Sequence, residues 1–315
     1  MRVVLLGTAA GGGFPQWNCV CALCAAARAG KLPARTQECV AVSGNSRDWW
    51  LLNASPDIRT QLVTTEALAP GPGPRETPVR GVLLTDAEAD HVMGLTILRG
   101  GPGLRIHAAP PVLETLAPLR AMLDRYACWD WADSLAEGGL VLSGGLAVSA
   151  HPLGAKVPKY VAATAATAAT AATAATAATA ATAPPAADDR WVTAYRVEDL
   201  ATGGVLVYAP CVAAWTPVLD GLLATADCAL LDGTFHTPDE MGTAVRSPHG
   251  QSAMGHLPVS GPHGSLAALA RHPGPRRIYT HLNNTNPLLD PDSPARAQVT
   301  GTGVEVLPDG AEFAV

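Results

Sequence analysis

The sequence predicts a layered domain of the α/β or α+β class. Short apolar runs of the kind that form buried strands recur along the chain, beginning with VVLL at 3–6, and segments with helical character lie between them. The same alternation is present on both sides of a low-complexity tract at 161–183, near the middle of the chain. An all-β protein would lack the intervening helices, so the pattern favours two similar halves of one sandwich.

The elements of the first half are separated by recognisable turn and cap residues. The first strand ends at Gly7, and a glycine-rich loop leads into an Ala-rich helix that ends near Gly30. Gly44 and Asn45 separate the next two strands and predict a hairpin. The further elements are the strands CVAVS (39–43), DWWLLNAS (48–55), VRGVLLT (79–85) and LRIHAA (104–109), and the helices SPDIRTQLV (55–63), HVMGLTILR (91–99) and PVLETLAPLRAML (111–123).

The second half resumes the strand pattern after the low-complexity tract. Its predicted elements are the strands WVTAYRVED (191–199), GGVLVYAP (203–210), CALLDGTF (228–235) and RRIYTH (276–281), and the helix GSLAALARH (264–272). The tract at 161–183 repeats Thr at every third position with Ala between, and it has no apolar face of period 3.6. We therefore expect a single domain over 1–315 that carries this tract as a mobile surface insertion.

Composition and charge exclude several classes of protein. The chain has 315 residues, 48% of them hydrophobic, and a formal net charge of −6 without a long basic run, which argues against nucleic acid as a partner. Apart from the weakly hydrophobic Ala/Thr tract, no stretch reaches the length of a membrane span without charges or turn formers. The N-terminus has no signal-peptide pattern, so we expect a cytoplasmic protein. The sequence leaves the oligomeric state open, including a homodimer.

Three cysteines within six residues predict a structural zinc site. Cys19, Cys21 and Cys24 form the pattern C-x-C-x2-C, which can bring three thiolates to one tetrahedral Zn²⁺. The competing interpretation is three small buried residues in an Ala-rich segment. The fourth ligand is open between Asn284, a downstream His and Cys39.

The segment TDAEADH (85–91) places three carboxylates and an imidazole at the end of an apolar strand. These residues are Asp86, Glu88, Asp90 and His91. Carboxylates in such a position repel one another unless they are exposed or bound to a cation. Strand ends are also where α/β proteins place ligands. The alternative is that Asp90 caps the following helix, since Asp is a good N-cap residue.

Further acid and imidazole groups stand at the ends of later strands. His281 follows RRIYT and precedes a loop with three Asn, and Asp232 ends an apolar strand as Asp90 does. His256 lies in a loop bounded by Gly and Pro. Each of these residues alone has a structural explanation. Together they predict a metal or proton-transfer site at one edge of the sheets.

These motifs resemble a known family. The segments GTAAGGGFPQWNC, TQECVAVS, SPDIRTQL, LLTDAEADHVMGL, VPKY, LLDGTF, MGHLPVSGP and HLNNTNP are similar to those of the B proteins of pyrroloquinoline quinone (PQQ) biosynthesis, within the metallo-β-lactamase fold superfamily. The resemblance spans nearly the whole chain except the Ala/Thr tract, and it implies a four-layer αββα sandwich with a metal site at one edge.

The resemblance also shows where this chain departs from the superfamily metal motif H-x-H-x-D-H. Asp86 and Glu88 stand in place of the two leading histidines, while Asp90 and His91 remain. His281 corresponds to the last metal-binding histidine. Ala-Pro-Cys stands where a bridging Asp is expected, after Tyr208. A dinuclear zinc hydrolase is therefore not the expected activity.

What remains is a set of two histidines and one carboxylate. Asp90, His91 and His281 would form a facial triad of the kind that binds non-haem Fe(II) and leaves positions open for O₂ and substrate. The family resemblance implies hydroxylation of the tyrosine-derived ring of a Glu–Tyr cross-linked PQQ precursor, with other pathway proteins as further partners. A metal-dependent hydrolase and a carrier of PQQ or its precursor are the alternatives.

The remaining candidate residues receive supporting roles. Asp86 and Glu88 could bind the substrate ammonium, move protons or add ligands, and Arg59 could meet a substrate carboxylate. By resemblance to tRNA-processing relatives of the fold, Asp232 and His256 would form an acid/base pair for proton transfer.

Overall fold

Two seven-stranded β-sheets pack face to face, and helices cover both outer faces. The computed structural model describes residues 1–161, 188–242 and 251–315. The predicted Ala/Thr insertion lies, from residue 162 onward, outside the described residues. The expected αββα sandwich is confirmed.

The first sheet has the order β14-β1-β2-β3-β4-β5-β6. Its first four strands in that order pair antiparallel, and β3 to β6 pair parallel. The predicted hairpin of β2 and β3 is present. The strands are β1 (Arg2–Gly7), β2 (Cys39–Ser43), β3 (Trp49–Leu52), β4 (Val79–Leu83), β5 (Arg105–Ala108), β6 (Asp130–Asp133) and β14 (Glu312–Ala314).

The second sheet has the order β13-β12-β11-β10-β9-β8-β7. Its strands β10 to β13 are parallel, and β7 to β10 are antiparallel. The strands are β7 (Leu140–Leu142), β8 (Leu146–Gly154), β9 (Val192–Asp199), β10 (Val205–Ala209), β11 (Cys228–Asp232), β12 (Arg276–Thr280) and β13 (Val304–Glu305).

The helices that flank the sheets are short. They are α1 (Ala22–Arg28), α2 (Ile58–Thr64), α3 (Ala89–Val92), α4 (Leu95–Leu98), α5 (Pro110–Thr115), α6 (Ala117–Leu123), α7 (Pro217–Leu223), α8 (Ser265–Leu269) and α9 (Pro294–Gly301). The single helix predicted at 91–99 is divided into α3 and α4 around Gly94. At Gly94 the backbone approaches the segment after β3 so closely that an added Cβ would lie 2.2 Å from the Ser55 carbonyl oxygen.

Alternation of side chains along the strands builds the three apolar layers. Val3 and Leu5 of β1 face the space between the sheets, where they meet Tyr208 and Leu230 of the second sheet. The neighbouring positions of each strand face the outer helices instead. Because both sheets are covered on both faces, the edge where parallel strands end is the place left for a ligand.

Candidate metal centre

The carboxyl ends of four parallel strands meet at one edge of the sandwich. The segments after β4, β10, β11 and β12 contribute to the wall of a cavity of about 190 Å³ there. Asp90, His91, His256 and His281 all line this cavity, as the sequence predicts. The topology therefore brings together residues that are up to 191 positions apart in the sequence.

His91 is fully buried, and its ring is fixed from behind. Its Nδ1 lies 2.8 Å and 2.9 Å from the two carboxylate oxygens of Asp86. Its Nε2 is buried and has no hydrogen-bond partner among the described residues. A buried polar atom without a partner is costly. An imidazole held at Nδ1 by a carboxylate, with Nε2 free, is the arrangement typical of metal-binding histidines.

His281 is oriented by a second hydrogen-bond chain. Thr234 Oγ1 lies 2.6 Å from a carboxylate oxygen of Asp232 and 2.7 Å from His281 Nδ1. A carboxylate can only accept, so the Thr234 hydroxyl donates to Asp232 and accepts from the Nδ1–H of His281. The Nε2 lone pair of His281 then faces the cavity. The residue has a φ of 58°, an uncommon conformation for a side chain of this size.

Asp90 completes a convergent set of three donors. One of its carboxylate oxygens lies 3.3 Å from His281 Nε2 and 3.9 Å from His91 Nε2. Ligand atoms about 2.0–2.2 Å from a shared ion lie about 3–4 Å from one another. The Asp90 oxygen therefore lies at a distance from each imidazole nitrogen that a shared cation allows, and ligand atoms of the two histidines lie within 4.8 Å of each other. Asp90 lies inside the first turn of α3, after Glu88 at the N-cap position, so it does not cap that helix.

The electrostatics of the site match a position for a cation. Burial alone would lower the pKa of His91, but the carboxylates of Asp86 and Asp90 raise it to about 10. Burial would raise the pKa values of Asp86 and Asp90, but the His91 imidazolium lowers both well below their usual range. Without a metal ion, His91 therefore carries an extra proton at neutral pH. A metal ion that binds His91 would displace this proton.

Metal affinity at this site should therefore increase with pH. Below about pH 10, the metal-free protein keeps one proton on His91 that an incoming cation must displace, because the pKa of His91 is raised. We expect the affinity to rise by at least about tenfold per pH unit between about pH 6 and 8, since at least this one proton is released. Calorimetric titration in buffers of different ionisation enthalpy measures both the affinity and the protons released, with Zn²⁺ already filling the three-cysteine site. A pH-independent affinity without proton release would be incompatible with this prediction.

Asp232 and His256 form a hydrogen-bonded pair beside the three donors. His256 Nδ1 lies 2.8 Å from a carboxylate oxygen of Asp232, and the His256 ring stacks on His281 with centroids 5.2 Å apart. Ligand atoms of Asp232, His256 and His281 lie within 4.8 Å of one another. The carboxylate of Asp232 and the Nδ1 atoms of His256 and His281 are already engaged in hydrogen bonds. The group is therefore arranged as a network for proton transfer.

The carboxylates of Asp86 and Glu88 occupy different positions. Asp86 is buried behind His91 and also accepts from the Glu88 backbone N–H and from Thr85. Glu88 lines the cavity and forms an ion pair with Lys156 at 3.1 Å. Asp86 therefore orients His91, whereas Glu88 belongs to the cavity wall.

The prediction for Arg59 requires a correction. Arg59 is exposed on α2, which packs on the outer face of the first sheet, and it does not line the cavity. Arg59 is the last residue of the SPDIR motif, and α2 directs its side chain to solvent. Lys156 and Lys159 line the cavity instead, and they are two of only three lysines in the chain.

Two residues that sequence reasoning gave no role are placed at this site. Cys211, two residues after the end of β10, lines the cavity, and its sulfur lies within 4.8 Å of ligand atoms of both His91 and His281. Thr234 links Asp232 to His281. Both residues follow the ends of parallel strands, and this position in the sequence was the one indication of a functional role. Neither a cysteine nor a threonine indicates a site by its residue type alone.

The three-cysteine cluster is assembled as predicted at the start of α1. The sulfur atoms of Cys19, Cys21 and Cys24 lie within 4.8 Å of one another. The side-chain amide of Asn284 lies 3.2 Å from the Cys19 sulfur and 3.4 Å from that of Cys24. Amide oxygen and nitrogen positions are interchangeable assignments, so Oδ1 can equally face this point. Asn284 is therefore the best-placed candidate for the fourth ligand. Cys39 packs elsewhere, where its sulfur lies 3.2 Å from the Asn53 carbonyl oxygen.

Removing one of these thiols should remove zinc and destabilise the protein. We expect Cys24→Ser to lose one equivalent of zinc and to lower the melting temperature by more than about 5 °C, because an ion held by these residues would join α1 to the loop after β12. Cys128→Ser replaces an exposed thiol and is the control. It should shift the melting temperature by no more than about 2 °C. Metal analysis and thermal unfolding measure both effects. Retention of zinc by Cys24→Ser would exclude this ligand set.

Comparison with known proteins places the chain in a family. The family model of the β-lactamase superfamily domain matches residues 48–282. A diphosphatase from the PhnP family shares the fold, with a TM-score of 0.65 and 16% identity over 99% of this chain and 97% of the other. The chain belongs to the β-lactamase superfamily and has its αββα fold, with the donor cluster at the edge where parallel strands end.

Closer relatives define the family within this superfamily. The coenzyme PQQ synthesis protein B of Azoarcus sp. (strain BH72) is 39% identical over 98% of both chains, and that of Methylobacterium nodulans is 40% identical, also over 98% of both. The crystal structure of Zn²⁺-bound PqqB from Methylobacterium extorquens has a TM-score of 0.84 and 34% identity over the full length of both chains. The chain belongs to the coenzyme PQQ synthesis protein B family. No helix within the described ranges has the length and apolar character needed to cross a membrane.

Proposed function

We propose that the protein acts in PQQ biosynthesis as an iron-dependent hydroxylase of the tyrosine-derived ring of the Glu–Tyr cross-linked precursor. The observation that carries this proposal is the convergence of two imidazole Nε2 atoms and the Asp90 carboxylate on one cavity, with the Nδ1 sides engaged by Asp86 and Thr234. The names of the relatives support the pathway.

The donor set fits iron. The unpartnered Nε2 of buried His91 is suited to a ligand, and His281 and Asp90 supply a second nitrogen and an oxygen within hydrogen-bond distance of each other. Two histidines and a carboxylate on one face leave coordination positions free, as in non-haem Fe(II) oxygenases. Iron(II) held by these residues would supply the activation of O₂ for hydroxylation of the ring.

The Asp232–His256 pair would manage the phenol proton of the substrate. Burial lowers the pKa of His256 despite the opposing influence of Asp232, so the imidazole is neutral at neutral pH and can accept a proton. Asp232 holds Nδ1 and thereby fixes the orientation of the ring toward the cavity that it lines. His256 would act as the general base, and Asp232 as its positioning residue.

The cavity lysines would bind the substrate carboxylates, of which the precursor has several. Lys156 is largely buried and paired with Glu88, while Lys159 lines the cavity and is exposed. Ammonium groups near the mouth attract and orient anionic substrates. Glu88, on the same wall, would neutralise one lysine or meet the substrate ammonium.

Removing the exposed lysine should weaken substrate binding more than it slows the chemical step. We expect Lys159→Gln to raise KM about tenfold and to leave kcat within about twofold, because its charge contacts bound and reacting substrate alike. Lys31→Gln, which removes the third lysine on an exposed surface, serves as the control. Steady-state O₂ uptake against precursor concentration measures both constants. A decrease in kcat with an unchanged KM would show that Lys159 does not contribute to substrate binding.

Anaerobic reconstitution tests the proposed activity itself. The protein loaded with Fe(II) and supplied with an external two-electron reductant should consume O₂ only when the cross-linked precursor is present. The product should gain the mass of one oxygen atom, and the other oxygen atom should leave as water. A hydrolase would instead act on its substrate anaerobically with Zn²⁺ or Mn²⁺. A carrier would bind the precursor unchanged, also after loss of His91 and His281. Absence of substrate-dependent O₂ uptake would reject the hydroxylase.

A further inference from the structure

We infer that Cys211 is a fourth protein ligand of the active-site metal ion, so that the site combines two imidazoles, one carboxylate and one thiolate. This inference rests on the proposed function for the presence of a metal ion at His91 and His281. It changes the character of the site, because a fourth ligand leaves fewer positions open and a thiolate is a softer donor than the other three.

The Cys211 sulfur lies close enough to the predicted histidine ligands to bind the same ion. Ligand atoms of His91, Cys211 and His281 all lie within 4.8 Å of one another, and all three residues are buried. Cys211 is only 3% exposed, yet it lines the same cavity as Asp90 and the two histidines. Zinc–sulfur bonds of about 2.3 Å and metal–nitrogen bonds of about 2.0–2.1 Å are compatible with such separations after small side-chain adjustments.

A second observation indicates that this cluster is arranged for a ligand. His91 Nε2 is buried without a hydrogen-bond partner in the part of the chain that the structure describes, and it belongs to the wall of the cavity that Cys211 also lines. A cation that satisfies this atom lies within reach of the Cys211 sulfur. On binding, the thiol would release its proton to solvent and the sulfur would donate an electron pair to the cation.

The backbone around Cys211 fixes its position. The residue follows the end of β10, and the next backbone N–H, that of Val212, donates to the Asp232 carboxylate at 2.7 Å. Asp232 in turn holds His256 and, through Thr234, His281. One buried carboxylate thus sets the positions of the cysteine segment and of a metal-binding histidine together.

Thiolate ligation alters which metal ions the site prefers. Imidazole and carboxylate alone suit Fe(II), Mn²⁺ and Zn²⁺, whereas a thiolate shifts the preference toward iron and zinc and away from Mn²⁺. With four protein ligands, an octahedral ion would keep two positions for O₂ and substrate rather than three. Replacing the sulfur by oxygen should therefore weaken binding of softer ions selectively.

Cobalt(II) is the probe for this ligand, since thiolate–cobalt charge transfer absorbs in the near ultraviolet. The experiment uses the full-length protein with Zn²⁺, which is spectroscopically silent, filling the three-cysteine site. Addition of one equivalent of Co²⁺ should produce the charge-transfer band in the wild type. Cys211→Ser should lack the band and bind Co²⁺ roughly tenfold more weakly. Cys228→Ser, a buried thiol in the core between the sheets, is the matched control and should retain both.

Two outcomes would overturn the inference. One is a charge-transfer band and a Co²⁺ affinity that are unchanged in Cys211→Ser. If Cys211→Ser does not fold, alkylation of the wild type gives the answer, since bound Co²⁺ should protect Cys211 from iodoacetamide, and equal labelling with and without the ion would exclude ligation. The band is independent of catalysis, so its presence without substrate-dependent O₂ uptake would reject the hydroxylase and retain the ligand.

Discussion

Replacing His281 by alanine is expected to abolish binding of the active-site iron and to reduce substrate-dependent O₂ uptake by at least about 100-fold. His281 is the predicted ligand from the segment after β12, and its Nε2 lies 3.3 Å from the Asp90 carboxylate. Without the imidazole, only Asp90 and His91 of α3 and the inferred Cys211 ligand would remain, and no donor from that segment would close the site. Iron content after anaerobic reconstitution and O₂ uptake with the precursor measure the two effects.

The control for this variant is His263→Ala, an exposed histidine outside the cavity. It should retain the iron content and activity of the wild type. Zinc in the three-cysteine site should be unchanged in both variants, which verifies that the fold persists. Full iron content and activity in His281→Ala would remove His281 from the ligand set.

Replacing Asp86 by asparagine should weaken metal binding without removing any ligand. Asp86 accepts from His91 Nδ1 with both oxygens, at 2.8 Å and 2.9 Å, and keeps Nε2 directed at the cavity. The neutral amide cannot stabilise the ring in the same way, so we expect Fe(II) affinity to fall about 10–100-fold. We also expect the pKa of His91 to fall, because the nearest anion is removed. Metal titrations and NMR of the histidine ring report these changes.

Two comparisons make the Asp86 prediction specific. Asp124→Asn removes an exposed carboxylate on the surface and should leave metal affinity unchanged. Saturating Fe(II) should restore most of the activity of Asp86→Asn, since the ligands remain, whereas it should not rescue His281→Ala. Complete loss of binding that excess metal cannot overcome would instead make Asp86 a ligand itself.

The fold was predictable from local patterns where strands are apolar and turns are marked. The alternation of strands and helices anticipated the two-sheet sandwich, and Gly44-Asn45 marked the hairpin of β2 and β3. The predictions missed the nine-residue strand β8, and they also missed the edge strands β6, β7, β13 and β14, which have two to four residues each. Such strands depend on pairing partners far away in the chain, and their own sequence contains little of that information.

The site was predictable at its strand ends but not in its supporting contacts. Asp90, His91 and His281 were recognisable because acids and imidazoles rarely follow apolar strands without a reason. The carboxylate of Asp86 faces away from the cavity and holds the His91 ring, and only the folded chain reveals this orientation. For the same reason Arg59 was assigned wrongly, because its direction on α2 depends on how that helix packs against the first sheet.

The most direct test of the central claim is a crystal structure of the Fe(II)-loaded protein, grown anaerobically, with anomalous diffraction recorded on both sides of the iron edge. The account predicts one iron peak at bonding distance, about 2.0–2.3 Å, from the Nε2 atoms of His91 and His281 and from the Asp90 carboxylate. An iron peak that contacts none of these atoms, or iron found only at the three cysteines, would contradict it.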